Sequence, residues 1–300
     1  MMIFVAGATG FIGSHLLKAL REGGRQVRCL VRDSKRAAAC REMGFEAALG
    51  DVTDRDSLRG ALEGVQTVVH LVGIIEERAG QTFEGIHVGG TANLLDEAKG
   101  AGVRRFFYQS AIGADLNSWA PYHRTKAEAE EMVKASGIPF TIFRPSLVIG
   151  QGGGFVEKLR GIIRAAPVIP VPGKGEAKLQ PIYVGDLVKC MVKALEDPGA
   201  IGRTYELGGP EHLTYNEVVR TLAGAMGVEK PLLHIPYGLA ALGVRMLERT
   251  PLRPATLDQL RLLNTDNICD RDSVRKNFGF QPLSLREALG LFISPRGRGR

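Results

Sequence analysis

Tyr122-His123-Arg124-Thr125-Lys126 sets a phenol and an ammonium four residues apart. On a helix that spacing puts both on one face. A free phenol has a pKa of about 10, and a nearby ammonium favours phenolate. The pair suits general acid or base work on an alcohol/carbonyl substrate near neutral pH. The lysine could equally hydrogen-bond a ribose. The bare pattern is common by chance, so its setting must carry the argument. It follows a strand-like run, Arg105 to Gln109, with Ser110 at the run's end. A hydroxyl there could hold a substrate oxygen.

The elements that must position these groups begin at the N-terminus. Met2 to Ala6 is an apolar run that feeds into Gly7-Ala8-Thr9-Gly10-Phe11-Ile12-Gly13 and then a helical pattern from Ser14. Strand, glycine turn, helix is the layout of a dinucleotide phosphate site. Gly7 allows the turn, Gly10 lets backbone approach a pyrophosphate, and Gly13 lets helix and strand pack closely. The helix then aims free N–H groups and its positive dipole end at the phosphates.

Strand and helix patterns continue to alternate. Val27 to Val31, Phe45 to Leu49, Thr67 to Val72, Arg105 to Gln109 and Phe140 to Phe143 have strand character. Ala37 to Met43, Asp56 to Leu62, Ile86 to Lys99 and Tyr122 to Ser136 have helical character. Repeated βα units predict an α/β fold, a Rossmann-like doubly wound parallel sheet with a smaller C-terminal substrate domain. The boundaries expected are 1–150 for the NAD(P)-binding domain, with 181–198 packing back onto it, and 151–290 for the smaller substrate or partner domain. A basic tail, 291–300, is expected to be disordered. Thr214 with Glu217 three residues on forms a capping box before a helix.

At the end of the second strand stand Arg32, Asp33, Ser34, Lys35 and Arg36. In such folds this position faces the adenosine ribose, where arginine pairs with a 2′-phosphate and an acid accepts from a free 2′-hydroxyl. Arg32 comes first, which favours NADP(H) over NAD(H), and Asp33 is the competing acidic reader. Leu71, Val72 and Gly73 follow the fourth strand, where backbone passes near the cofactor and glycine avoids a clash. His70 is expected to be a packed strand-end histidine with no catalytic part.

GATGFIGSHL resembles the opening of the extended and atypical short-chain dehydrogenase/reductases. His70-Leu-Val-Gly-Ile-Ile75, Thr82 to Thr91, Ser110-Ala-Ile-Gly-Ala114, Tyr122 to Lys126 and Phe143-Arg-Pro-Ser146 follow in order. Together they are similar to the atypical group that contains the nucleotide-binding accessory subunit of mitochondrial complex I and its bacterial relatives. The resemblance is good over about residues 2–195 and looser over 231–282. It implies catalytic roles for Ser110, Tyr122 and Lys126. It also implies an adenine edge at Asp51 and Val52, and backbone near the nicotinamide at Pro145 and Val148. A tightly held NADP(H) is implied as well. Sugar-nucleotide epimerases carry a Ser/Thr-rich stretch after the serine, and the Ala-Ile-Gly-Ala here counts against a UDP-sugar.

The leading expectation is an NAD(P)-dependent oxidoreductase with a Tyr-Lys-Ser mechanism on an alcohol/carbonyl substrate. The alternatives are an NADP(H)-binding structural or assembly protein of a respiratory-complex type, and a nucleotide-sugar epimerase/dehydratase. With 44% hydrophobic and 24% charged residues the composition is that of a globular protein. The net charge is +7, and +4 once Arg296, Arg298 and Arg300 are set aside. No nucleic-acid signature accompanies that charge. Cys29, Cys40, Cys190 and Cys269 form no metal or C-x-x-C pattern, which points to a reduced, cytoplasmic protein without a metal site. Leu232 to Leu247 is nearly all apolar. A buried helix is the expectation there. Contact with a membrane surface, at its inner face, or with a respiratory complex is the alternative.

Overall fold

A computed structural model of the chain describes residues 1–78, 80–247 and 256–293. The first elements are β1 (Met2–Ala6), α1 (Phe11–Glu22), β2 (Gln26–Val31), α2 (Ser34–Glu42), β3 (Glu46–Leu49) and β4 (Thr67–His70). Next come α3 (Gly90–Gly100), β5 (Arg105–Gln109), α4 (Pro121–Ala135) and β6 (Phe140–Pro145). The chain continues through β7 (Val148–Ile149), α5 (Gly154–Ala165), β8 (Ile169–Pro172), β9 (Lys178–Leu179), β10 (Ile182–Tyr183) and α6 (Val184–Glu196). Beyond these lie β11 (Arg203–Leu207), β12 (Leu213–Thr214), α7 (Tyr215–Ala225), β13 (Leu232–Ile235) and α8 (Tyr237–Leu247). Three short helices close the described chain: α9 (Leu257–Leu262), α10 (Ser273–Phe278) and α11 (Leu285–Gly290).

Seven strands form one sheet in the order β11-β6-β5-β4-β1-β2-β3. The pairs β1–β2, β1–β4, β2–β3, β4–β5 and β5–β6 are all parallel. Reversal of the order at β1 gives the doubly wound Rossmann-like sheet, with its ligand crevice at the carboxyl ends of the central strands. The strands read as near-continuous apolar runs because both faces are buried. Phe4, Val68, Val69, Phe106, Phe107, Tyr108, Ile142 and Phe143 are fully buried.

The chain divides into two compact units, residues 1–145 with 187–206 and residues 146–186 with 207–300. The first boundary therefore falls after Pro145 rather than at 150, because β7 pairs with β10 within the second unit. The returning segment is 187–206 rather than 181–198, and it ends in β11, which joins the large sheet. In the second unit Val156, Leu159 and Ile163 of α5 pack with Val218, Val219 and Leu222 of α7 and with Leu285 and Leu289 of α11. The capping box at Thr214 and Glu217 is present.

Four local expectations are corrected. Asp56 to Leu62 is a single 3-10 turn, Asp56–Leu58, between residues held by Asp54 and a left-handed Gly60. Strand pairing after Thr67 ends at His70, short of Val72. The helix expected from Ile86 begins as a π-helical segment, Glu84–Gly89, before α3. Leu232 to Leu247 is not one helix, and several of its large apolar side chains are exposed where a buried helix was expected. Pro236 separates a strand parallel to β8 from α8, whose Leu239, Leu242 and Met246 are exposed. Of the tail expected to be disordered, 291–300, Ile293 is instead buried in the second unit's core beside Leu285 and Leu289, and residues 294–300 lie outside the described residues. Cys29, Cys40 and Cys190 are buried and outside any disulfide among the described residues. No cluster of potential metal ligands occurs among the described residues, and no described helix is long and apolar enough to cross a membrane.

Candidate active site

The glycine turn is determined by steric exclusion. Gly7 has φ +86°, and a Cβ on it would lie 3.0 Å from the Leu71 carbonyl carbon. Leu71 donates its N–H to Ala6 O at 2.9 Å, so the 71–72 backbone runs directly against the turn. A Cβ on Gly13 would lie 2.1 Å from Gly7 O, which no real side chain tolerates. At Gly10 the same distance is 3.2 Å, so the turn itself exerts less pressure there. Gly10 is the N-cap of α1 and supplies no side-chain acceptor, and no acid stands in the first turn. The helix start thus keeps donors and a positive dipole end for an anion, with Thr9 and Gly10 exposed and Phe11 and Ile12 half-buried.

Toward the adenosine side, Arg32 Nη1 lies 4.0 Å from Asp51 Oδ2, and both side chains are solvated. Asp51 Oδ1 is held by the Thr53 N–H and hydroxyl at 2.9 and 2.8 Å. Val52 is buried, and its carbonyl accepts from Asn93 Nδ2 at 2.8 Å. Asp33 is the N-cap of α2, accepting from Arg36 N at 2.8 Å while its second oxygen pairs with the Arg36 guanidinium. Its carboxylate thus caps α2 and pairs with the Arg36 guanidinium.

The Ser110 hydroxyl lies at the carboxyl end of β5. It is 2% exposed, and its Oγ has no hydrogen-bond partner among the described residues. The Ser110 N–H donates to Phe143 O at 2.7 Å, prolonging the β5–β6 ladder by one residue. Tyr122 opens α4 directly after Pro121, in the N1 position that proline favours. Its ring packs edge-on against Phe83 and His87, with centroids 5.9 and 5.6 Å away. One turn on, Lys126 is buried, donates to Gln109 O at 3.0 Å and lies 5.0 Å from the Tyr108 ring centroid. A Cβ on Gly73 would come within 3.1 Å of Lys126 Nζ, so that loop also touches the lysine.

Burial controls the electrostatics. Desolvation lowers Lys126 to about 8, against the opposing pull of Glu130. Tyr122 is pushed up to about 12 by burial alone. Burial thus acts against the lowering of the phenol expected from Lys126. The ammonium is directed at Gln109 O and the Tyr108 ring, and desolvation of the phenolate dominates. Pro145 caps the first unit, accepting from Ile112 N at 3.1 Å. Val148 belongs to the second unit, in β7.

His87 was not anticipated as part of this site. It is fully buried, and its Nε2 accepts from Ile74 N at 3.1 Å. Nδ1 lies 2.9 Å from Thr125 Oγ1, which itself donates to Pro121 O. That network requires a neutral ring with its proton on Nδ1. Burial, aided by Lys126, lowers His87 to about 2. The ring ties the loop after Gly73 to the first turn of α4. The signal in the sequence was a histidine four residues before Thr91, inside a helical pattern. His70, as expected, is packed, donating toward Thr91 Oγ1 at 3.1 Å; burial and Lys126 lower it to about 3.

These residues fit a dinucleotide. The turn excludes side chains where pyrophosphate would pass, α1 keeps its first amides uncapped, and a buried hydroxyl awaits a partner at the switch-point end of β5. The chain is similar to several known proteins. A protein of Methylococcus capsulatus, "Sterol demethylase protein B", is 31% identical, covering 96% of each chain. The Arabidopsis thaliana mitochondrial "NADH dehydrogenase [ubiquinone] 1 alpha subcomplex subunit 9" is 29% identical over 94% of this chain and 73% of its own. The "NAD(P)H azoreductase" of Xenophilus azovorans is 31% identical over 79% of this chain and 78% of its own. Residues 3–208, most of the chain and the whole of the large sheet, match the NAD dependent epimerase/dehydratase family, and the protein belongs to it.

Proposed function

We propose that the protein is an NADP(H)-dependent reductase of carbonyl substrates that uses Tyr122, Lys126 and Ser110. The observation that carries this reading is the Ser110 hydroxyl, buried at the end of β5 and unpartnered among the described residues. Leaving such a group unsatisfied costs about 1–3 kcal/mol. A fold that only held a dinucleotide would gain nothing from it, whereas a substrate oxygen would accept its proton.

When bound, a reduced nicotinamide would supply the hydride for the carbonyl carbon. Tyr122, pushed up to about 12, keeps its proton at neutral pH and donates it to the carbonyl oxygen, so the product is the alcohol. That raised value suits the acid of reduction better than the base of oxidation. Ser110 orients the oxygen, and Lys126 holds a ribose hydroxyl and adds positive charge nearby. Arg32, with Asp33 and Arg36 engaged with each other, supports a 2′-phosphate over a free hydroxyl.

A second reading has one specific observation behind it, the similarity to a mitochondrial complex I subunit. There the dinucleotide would stabilise the fold without turnover. The sugar-nucleotide alternative is disfavoured by Ala111-Ile112-Gly113-Ala114. Hydride exchange from stereospecifically deuterated NADPH, with aldehydes, ketones and quinones as acceptors, separates the readings. Exchange that falls about 10²–10⁴-fold in Tyr122→Phe, with NADPH affinity unchanged, is the expected result. Absence of exchange with every acceptor, together with a large NADPH-dependent rise in melting temperature, would establish the scaffold reading instead.

A further inference from the structure

We propose that α8 docks the protein onto an anionic lipid surface. The helix is amphipathic in reverse. Leu239, Leu242 and Met246, spaced three and four residues apart, share one face and are 62%, 55% and 71% exposed. On the opposite face stand Ala240 and Val244, and Val244 is buried. Large apolar groups thus point away from the unit while small ones point into it, where α8 packs against α9. A helix stabilised only by its own domain has the opposite arrangement. Leu233 on β13 and Tyr237 at the start of α8 add 51% and 42% exposed apolar surface to the same stretch.

Charge selects the occupant. No acidic residue occurs from Pro231 to Leu247, and Arg245 is exposed in the last turn. An apolar row one helix wide with a cationic flank matches the acyl–headgroup boundary of an anionic bilayer. A protein groove would need an acid to match Arg245, and a second copy of this face has none to offer between Pro231 and Leu247. With 11 residues, about 16 Å, the helix is suited to lie in the interface and not to span it.

The test is co-sedimentation of the full chain with vesicles of phosphatidylcholine alone or mixed with phosphatidylglycerol, at low and high salt. Binding is expected to the mixed vesicles, weaker in high salt and on phosphatidylcholine. The double variant Leu242→Glu, Met246→Glu should lose roughly tenfold or more in affinity, with an unchanged melting curve because both side chains are exposed. A control with Arg296, Arg298 and Arg300 replaced by serine should still bind, which separates α8 from the basic tail. Equal sedimentation of the double variant and the parent overturns the proposal. So does binding that vanishes with the tail arginines alone. Vesicle-independent dimerisation abolished by Leu242→Glu would assign the face to a second copy and overturn it too.

Discussion

The two sides of the candidate cofactor site are built on opposite physical terms. At the reacting end, Ser110, Lys126 and His87 are buried, Tyr122 is packed between aromatic rings, and three of these groups have shifted pKa values. At the adenosine end Arg32 and Asp51 are solvated and 4.0 Å apart, and Asp33 and Arg36 spend their charge on each other. Burial makes the first end sensitive to single atoms. Solvent and salt make the second tolerant, since exposed pairs contribute about 0–1 kcal/mol. On the proposed function, selectivity for the reaction and selectivity for the dinucleotide would rest on contacts of very different strength.

Three substitutions or conditions sharpen that contrast. The largest effect is expected at the hinge between the two ends, the glycine turn. Gly13→Val places a branched side chain where even a Cβ would sit 2.1 Å from Gly7 O. Overpacking of this kind costs about 1–3 kcal/mol or more, and melting curves with and without NADPH should show lower stability and no ligand-induced rise. A variant that melts and binds like the parent would show that the turn is slack and the contrast misdrawn.

Acid sensitivity should be intermediate and confined to the buried end. The folded pKa values of His70 and His87, about 3 and about 2, lie below the unfolded value near 6.5. The unfolded chain therefore takes up these protons first. The stability contributed by the neutral rings is complete above pH 6.5 and is lost as pH falls toward 3 and 2. The slope approaches about 1.4 kcal/mol per pH unit for each ring. Denaturation followed from pH 7 to pH 4 should show it, and His87→Gln should begin less stable yet decline less steeply. An unchanged slope in that variant would remove His87 from the account.

The smallest effect belongs to the exposed end. Arg32→Ala is expected to weaken NADPH by about 1 kcal/mol, less than a buried charge-assisted contact, and to leave NADH almost unchanged. Calorimetry at two salt concentrations measures both, and the difference should shrink at high salt. A loss as large for NADH as for NADPH would show that Arg32 does not read the 2′-position.

Much of this protein was determined locally, and those parts were legible in the sequence. The glycine turn could be read because its requirement is steric and confined to seven residues. The Tyr122 and Lys126 pair could be read because helical geometry sets i and i+4 on one face. Apolar runs marked the parallel strands because burial on both faces leaves no polar alternation. Tertiary structure decided what depends on distant neighbours. Desolvation, set by elements far apart in sequence, raised Tyr122 where proximity to Lys126 alone argued for lowering. The occupation of Asp33 as a helix cap was visible only once α2 was placed. His87 acquired its role from Ile74 and Thr125, which no local pattern joins to it. Finally, composition showed that Leu232 to Leu247 is apolar, but only packing decided which way its side chains point, because the sign of amphipathicity depends on the face a helix turns to its neighbours.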